Sequence, residues 1–417
     1  MSSFRGRRCS AGLSVLLALA GGCTGEIDAP SEGVREATAT TVKPAVYGPI
    51  ASAEVTVATL GTTPVRDPAV AWNGQSFTLV WESGGEIHGA RVSSTGQLLD
   101  PSPIPIAVGA GVRSSPVIAC SAAQCLVVWN QARPLSGFGS IYAARLSLGG
   151  AVLDTTPLEV LTGGLWASSR AVASGNGDFL VGGAFALYSQ AMAVVVRVSA
   201  QGQVGSYEPV GASGLTAVTA MGFDGTSYQV LVWDAMGNRK SVRLVPPVGA
   251  VGSEVTLGQH CPESAADTMS CAPGVCTLGM NHFVSGGYVF KLVRVDQTGT
   301  VLDPSGIAIS KAARLTFDGS RYLLAWNDPR NAGTTGVDLY GAYRTASLGA
   351  VGLEAPLSTV PGDENLGGLA SDGLGTSATA YRRAGSVLLR VVKFGRRRKH
   401  EPLPVIEEPS LPLDPTM

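Results

Sequence analysis

The feature that most narrows what this 417-residue chain can fold into is a repeat of about 50 residues. Apolar strands ending at Trp81, Trp129, Gly182, Trp233, Met280, Trp326 and Tyr381 recur at intervals of 46 to 55 residues. A second marker keeps step: a glycine opening a G-x-(Leu/Val) turn at Gly96, Gly150, Gly202, Gly249, Gly299 and Gly349, spaced by 47 to 54 residues. Each unit reads as four short strands, in the first unit Ala69 to Trp72, Ser76 to Trp81, Glu86 to Ser93 and Gln97 to Val108, with Gly, Asn, Asp or Pro between them. Four hairpin-linked strands at this period predict an all-β chain folded as a β-propeller, since β-helix repeats are much shorter. With 54 glycines and only 15% charged residues, the composition suits buried strands and tight turns better than amphipathic helices.

The strand marker occurs seven times and the full turn marker six, because Gly395 of the last unit runs into a basic segment. Glu54-Val55-Thr56-Val57 matches Glu254-Val255-Thr256-Leu257, which holds a fourth-strand position. The N-terminal strand is therefore expected to complete the last blade and close the ring, removing an open sheet edge. Seven four-stranded blades over residues 50–395 follow, with six or eight as the alternatives.

The flanks read differently. Residues 1–22 have the form of a signal peptide, with Arg5, Arg7 and Arg8 before an apolar run from Leu13 to Ala20 that is too short to span a bilayer. Leu19-Ala20-Gly21-Gly22-Cys23 resembles the lipobox of bacterial lipoproteins, with Ala20 where that pattern prefers Leu. The resemblance implies cleavage before Cys23, lipidation of its thiol and anchoring to the outer or inner membrane; an ordinary cleaved signal is the alternative. Residues 23–49 read as a tether, and residues 396–417 as a basic and then Pro-rich tail.

Seven cysteines are present. Cys120 with Cys125 and Cys271 with Cys276 bracket the first hairpins of two units, where other units hold Trp72 with Phe77, Phe317 with Tyr322 and, shifted by one, Phe223 with Tyr228. Aromatic and cysteine pairs are alternative clamps on one hairpin, which predicts two disulfides and an oxidising compartment. Cys261 has no evident partner; it reads as a buried thiol or as paired elsewhere.

Chemical motifs are sparse. Lys plus Arg at 30 against Asp plus Glu at 31 gives no field that would recruit nucleic acid. His88, His260, His282 and His400 lie in different units without metal-ligand spacing, and no nucleophile elbow or phosphate loop occurs, so neither a metal nor a cofactor is expected. Third strands carry Arg91, Arg145, Arg197, Arg243, Arg294, Arg344 and Arg390. A ring of guanidinium groups could grip an anionic polymer, but a residue present in every blade more often serves what every blade shares. Asp100, Asp154 and Asp303, after the turn glycine, are the natural partners.

Binding is expected instead from residues that do not repeat, on the face where loops between second and third strands meet loops between blades. The candidates are Trp166, Arg133, Asn327, Asp328 and Arg330, the last three also reading as ordinary turn chemistry. The Tyr322-Leu323-Leu324-Ala325-Trp326 strand, the Asp338-Leu339-Tyr340-Gly341-Ala342 segment and the Gly299-Thr300-Val301-Leu302-Asp303 turn resemble repeats of secreted bacterial β-propeller lipoproteins. The resemblance adds no catalytic motif; with inner strands such as Ala69 to Trp72 and Val117 to Cys120 apolar and free of Asp or Glu, and aromatics at only 6%, the expected role is a non-catalytic binding or scaffold role at the cell envelope, meeting a protein, peptide or glycan. The alternative is a propeller enzyme acting on polysaccharide, a glycoside hydrolase or lyase, which would place carboxylates around the central funnel.

Overall fold

The computed structural model describes residues 46–61, 63, 68–132, 139–162, 166–186, 191–211, 214–259, 267–284 and 287–397. The signal segment, Cys23, Arg133, Cys261 and residues 398–417 lie outside the described residues. The described part of the chain forms seven antiparallel sheets. Six are consecutive four-stranded meanders spanning residues 69–107, 113–161, 166–209, 216–259, 268–309 and 314–358, here blades 1 to 6. Blade 7 takes its three inner strands from residues 365–397 and its outer edge from the N terminus. The seven-bladed propeller expected from the repeat is thus the fold.

Closure is more extensive than one short strand. The third strand of blade 7, Ser386–Arg397, pairs along its first half with Val55–Thr59 and along its second half with Val46–Ala51. Residues 46–49 and 396–397, read from sequence as tether and tail, are therefore strand. A longer third strand offers backbone groups to pair, and the N-terminal segment supplies them, with a break at residues 52–54.

One buried apolar cluster fills each blade-to-blade interface, seven in all. Second strands are covered on both faces, which is why Phe77–Ser83 is buried throughout and reads as a continuous rather than alternating apolar run. The first hairpins close as the sequence implies. Trp72 with Phe77, Phe223 with Tyr228 and Phe317 with Tyr322 are tilted pairs at 4.9 to 5.0 Å, and Cys120–Cys125 and Cys271–Cys276 are disulfides at the same place. Asn73, Asp224 and Asp318 form these turns alike, each side-chain oxygen accepting from the backbone N–H groups two and three residues on.

Pairing of these hairpins also corrects two sequence markers. Four residues beyond Phe179 and Tyr228 lie Gly183 and Val232, so these hold the place of Trp81 and Trp129, and Gly182 and Trp233 are each one step out of register. In blade 6 the left-handed residue of the outer turn is Leu348 (φ 68°), not Gly349.

Four of the seven recurring arginines rivet a blade to the one that follows it. Arg91, Arg145 and Arg294 each pair with Asp100, Asp154 and Asp303 of their own blade at 2.6 to 2.8 Å, and donate to a carbonyl of the following blade's turn, Leu148, Ala200 and Ala346 respectively. Arg197 does the same with Glu208 and the Pro246, Pro247 and Gly249 carbonyls. The turn glycine belongs to this contact: a Cβ on Gly202 would lie 2.9 Å from the Arg145 guanidinium carbon.

Candidate functional site

First strands of all seven blades line a central channel of about 680 Å³. They enter from the face carrying the loops between second and third strands and run away from it, so order along the strand is depth in the channel. At the mouth lie Ser115, Asn130, Ser168, Asp267, Arg314 and Arg382; deeper lie Ile118, Val172, Met221, Met269, Leu315 and Leu369. The channel is thus a polar collar over an apolar sleeve.

Local backbone irregularity shapes part of the channel wall. The inner strands of blades 2, 3, 4 and 7 carry an extra residue opposite their second strands, between Ser114 and Val117, Ser169 and Ala171, Val218 and Ala220, and Leu366 and Gly368. A bulge re-aims side chains that a regular pleat would bury. Thr219 sits in one: its hydroxyl is buried, lines the channel and has no hydrogen-bond partner among the described residues. Ser115 occupies another at φ 52°.

Asp267 is held by Lys240 at 2.6 Å, with both side chains at most 1% exposed. On the neighbouring second strand, burial pushes the His282 imidazole down to about 4, with the charges of Lys291 and Lys240 adding to it, so His282 is neutral at pH 7. Among the described lining residues Asp267 is the one carboxylate, and among the described residues no group of three or more His, Cys, Asp or Glu could hold a metal ion.

The residues singled out from sequence sit elsewhere. Asn327 accepts from the Leu366 backbone N–H at 3.0 Å, joining blade 6 to blade 7. Asp328 is fully buried, accepts from the Trp326 indole N–H at 2.9 Å and caps the short 3-10 turn Pro329–Asn331; the Arg330 guanidinium, at 2.6 Å, holds its carboxyl well below the usual range. Arg330 also pairs with Glu354 and stacks over Tyr340 at 3.9 Å. Turn and packing contacts therefore engage all three. Trp166 begins the inner strand of blade 3, but its side chain is not described. Asn327, Asp328 and Arg330 are not among the described residues that line the channel. Arg314, Arg382, Asp267 and Thr219 escaped sequence reading because each sits beside an apolar strand and marks no motif. Their departure from the residue type at the same place in other blades was the available signal.

A second polar cluster fastens the closure. Arg383 donates to Glu54 at 2.6 and 2.8 Å and to Glu364 at 3.1 Å, while the Tyr381 hydroxyl donates to Glu54 at 2.6 Å. Burial alone would raise the Glu54 carboxyl, but Arg383, Tyr381 and Arg390 together bring it below its ordinary value. Burial pushes Glu364, whose side chain is wholly covered, up to about 7 despite its bonds from Ser358 and Arg383.

No family model matches the chain, and no curated protein matches it. Among solved structures, the β-propeller domain of the Trilobed protease from Pyrococcus furiosus aligns over 82% of this chain and 99% of its own, at 9% identity and a TM-score of 0.47. The WD40 domain of Toxoplasma gondii coronin aligns over 85% of this chain and 90% of its own, at 12% identity and a TM-score of 0.49. Trypanosoma rangeli sialidase aligns over 82% of this chain and 60% of its own, at 10% identity and a TM-score of 0.46. These likenesses concern the propeller fold alone.

Proposed function

We propose that this chain is an exported, lipid-anchored binding propeller of the bacterial cell envelope whose ligand seats at the channel mouth. The observation that carries the binding reading is the polar collar over an apolar sleeve, a concave site formed by seven rigid strands. Hydrolysis of a glycosidic bond calls for two carboxylates flanking the scissile bond. The described lining residues include Ser115, Asn130, Thr219, Arg314 and Arg382, and a single carboxylate, Asp267, held by Lys240. Two disulfides support residence in an oxidising compartment. No helix among the described residues is long and apolar enough to cross a membrane, and the Cys23 lipobox likeness supplies the anchor in this reading.

The test is capture of envelope proteins and surface polysaccharides on the purified full chain, read by mass spectrometry. It is repeated with Arg382→Gln at the mouth and Arg330→Ala on the outer loop. A partner lost with Arg382→Gln and kept with Arg330→Ala supports the channel as the site. Polysaccharide shortened during incubation, with nothing retained, overturns the binding reading in favour of an enzyme. Metabolic labelling with a radioactive fatty acid, abolished by Cys23→Ser, tests the anchor.

A further inference from the structure

Blade 7 ends differently from its neighbours on the face opposite the channel mouth. In blades 1 and 6 the third strand stops opposite the start of the second strand, Val92 opposite Phe77 and Thr345 opposite Arg321, and turns back at once. In blade 7, Lys393 lies opposite Thr376, the first residue of the second strand, and residues 394–397 continue beyond it, paired with the N-terminal strand. The register places Tyr47 opposite Arg396 and Ile50 opposite Lys393. Third strands, like first strands, run away from the mouth, so this two-stranded ribbon lies at the far end of the ring. Both ends of the propeller therefore leave it at one corner.

That corner is basic. Lys393 and Arg396 are exposed, and neither is held by a carboxylate among the described residues. Arg321, at the start of the second strand of blade 6, lies over the Phe394 ring at 4.4 Å. The acidic groups in the turns of blades 6 and 7 at this end are Asp318 and Asp372, and each accepts from the backbone of its own turn. In the sequence Arg397, Arg398 and Lys399 follow directly, in a chain whose formal net charge is -1. Apolar side chains stand among these charges: Tyr47 is 45% exposed, Ile50 42% and Leu353 60%. Leu353 belongs to the same patch, since the Tyr47 carbonyl fills the space beside its neighbour Gly352. Tyr47 is held there by stacking on Phe394 at 5.9 Å.

Cations interleaved with exposed tyrosine and aliphatic side chains suit a lipid surface, where the cations meet headgroup phosphates and the apolar groups enter the boundary with the acyl chains. An acidic polymer would answer the charges and leave the apolar groups bare. Val46 follows Cys23 by 23 positions, a reach of roughly 80 Å if extended, so a lipid on Cys23 would tether the propeller without fixing how it stands. From this corner we infer that the ribbon of residues 46–50 and 393–397, with Leu353, docks on an anionic phospholipid surface and turns the channel mouth away from the bilayer. The inference rests on the anchored reading above and goes beyond it, since it assigns a second membrane contact and an orientation.

The test is acetylation of lysine amines on the full chain, anchor included, reconstituted into vesicles of phosphatidylcholine alone or mixed equally with phosphatidylglycerol. Mass spectrometry compares Lys393 at the corner with Lys311, in the loop that leads into the first strand of blade 6 on the mouth face. Anionic vesicles are expected to slow acetylation of Lys393 about tenfold relative to neutral ones and to leave Lys311 unchanged, since each Lys or Arg at such a surface contributes about fivefold to the contact. Joint Arg396→Gln and Arg397→Gln should restore most of the rate, and joint Arg396→Lys and Arg397→Lys should keep the protection. Leu353→Ser should lower it as well. Urea midpoints equal to the parent's show that the variants fold. Equal acetylation of Lys393 on both kinds of vesicle, or protection of Lys311 instead, overturns the proposal. Soluble heparin protecting Lys393 as well as anionic vesicles do overturns it in favour of an acidic polymer. The chain carrying Cys23→Ser, mixed with the same vesicles, separates this contact from the anchor. Protection of Lys393 without fatty-acid labelling of Cys23 means that the anchor falls and this surface stands; labelling with Lys393 open means the reverse, and neither means that both fall.

Discussion

Replacing Arg383 with methionine should release the closure of the ring more than any other single surface-remote change. Its guanidinium is 14% exposed and holds Glu54, at 7%, and Glu364, at 0%. Methionine keeps most of the aliphatic volume, so the loss isolates the charge. Removing one partner of a buried ion pair typically costs about 3 to 5 kcal/mol, because the other charge remains buried and uncompensated. Here the Tyr381 hydroxyl at 2.6 Å and Arg390 at 3.6 Å still serve Glu54, which puts the expected cost near the low end, about 3 kcal/mol. Urea unfolding measures that cost, and limited proteolysis within residues 46–59 reports whether the terminal strand leaves first. Adding Glu54→Gln should restore part of the loss, since both changes break one interaction; coupling of about 0.5 to 3 kcal/mol is expected for residues in contact. A cost under about 1 kcal/mol, or strictly additive effects of the two changes, would refute the idea that this pair fastens the ring.

Three further outcomes follow from the same geometry. Glu364 is raised by burial from 4.5 to about 7, so between these values the folded chain holds a proton that the unfolded chain has lost. Stability from this group is complete below about pH 4.5 and declines as pH rises through 7, by roughly 3 kcal/mol, and urea midpoints of Glu364→Gln should lose that slope. Arg145→Ala removes a rivet whose partner Asp154 is 7% exposed and should cost about 2 to 4 kcal/mol, while Lys311→Ala, outside any such pair among the described residues, serves as a control of negligible effect. Joint Cys120→Ser and Cys125→Ser should cost about 2 kcal/mol, as expected for so short a loop, and peptide mapping without reductant should recover both cystines in the parent chain.

Much of the fold was legible because a propeller states its constraints seven times. The aromatic and cysteine clamps, the turn glycines and the arginine with its aspartate could each be checked against other blades. Where the markers slipped, the residue at the marker place is no aromatic: Gly183 and Val232 stand there in blades 3 and 4, so Gly182 and Trp233 were each taken one residue off. The length of the closing strand was hidden for a different reason. Tyr47 to Pro49 carry little strand pattern, and only the matching length of Ser386–Arg397 draws them into the sheet.

The candidate site was less legible because sequence reading looked for it on loops rich in Asn, Asp and Arg. In Asn327, Asp328 and Arg330 those residue types satisfy backbone, indole and ring contacts around one turn. Polar residues in a loop have many structural uses, so their presence there says little about binding. An arginine on the innermost strand has few, because neighbouring blades cover that level with alanine, valine or glycine and no second sheet packs behind it. Arg314 stands on the inner strand of blade 6 and Arg382 near the end of the second strand of blade 7, both beside the channel, at places where most blades carry an apolar or amide residue. In a repeated architecture, then, a charge that recurs from blade to blade points to assembly, and the places where one blade departs from the repeat are where a site is to be sought.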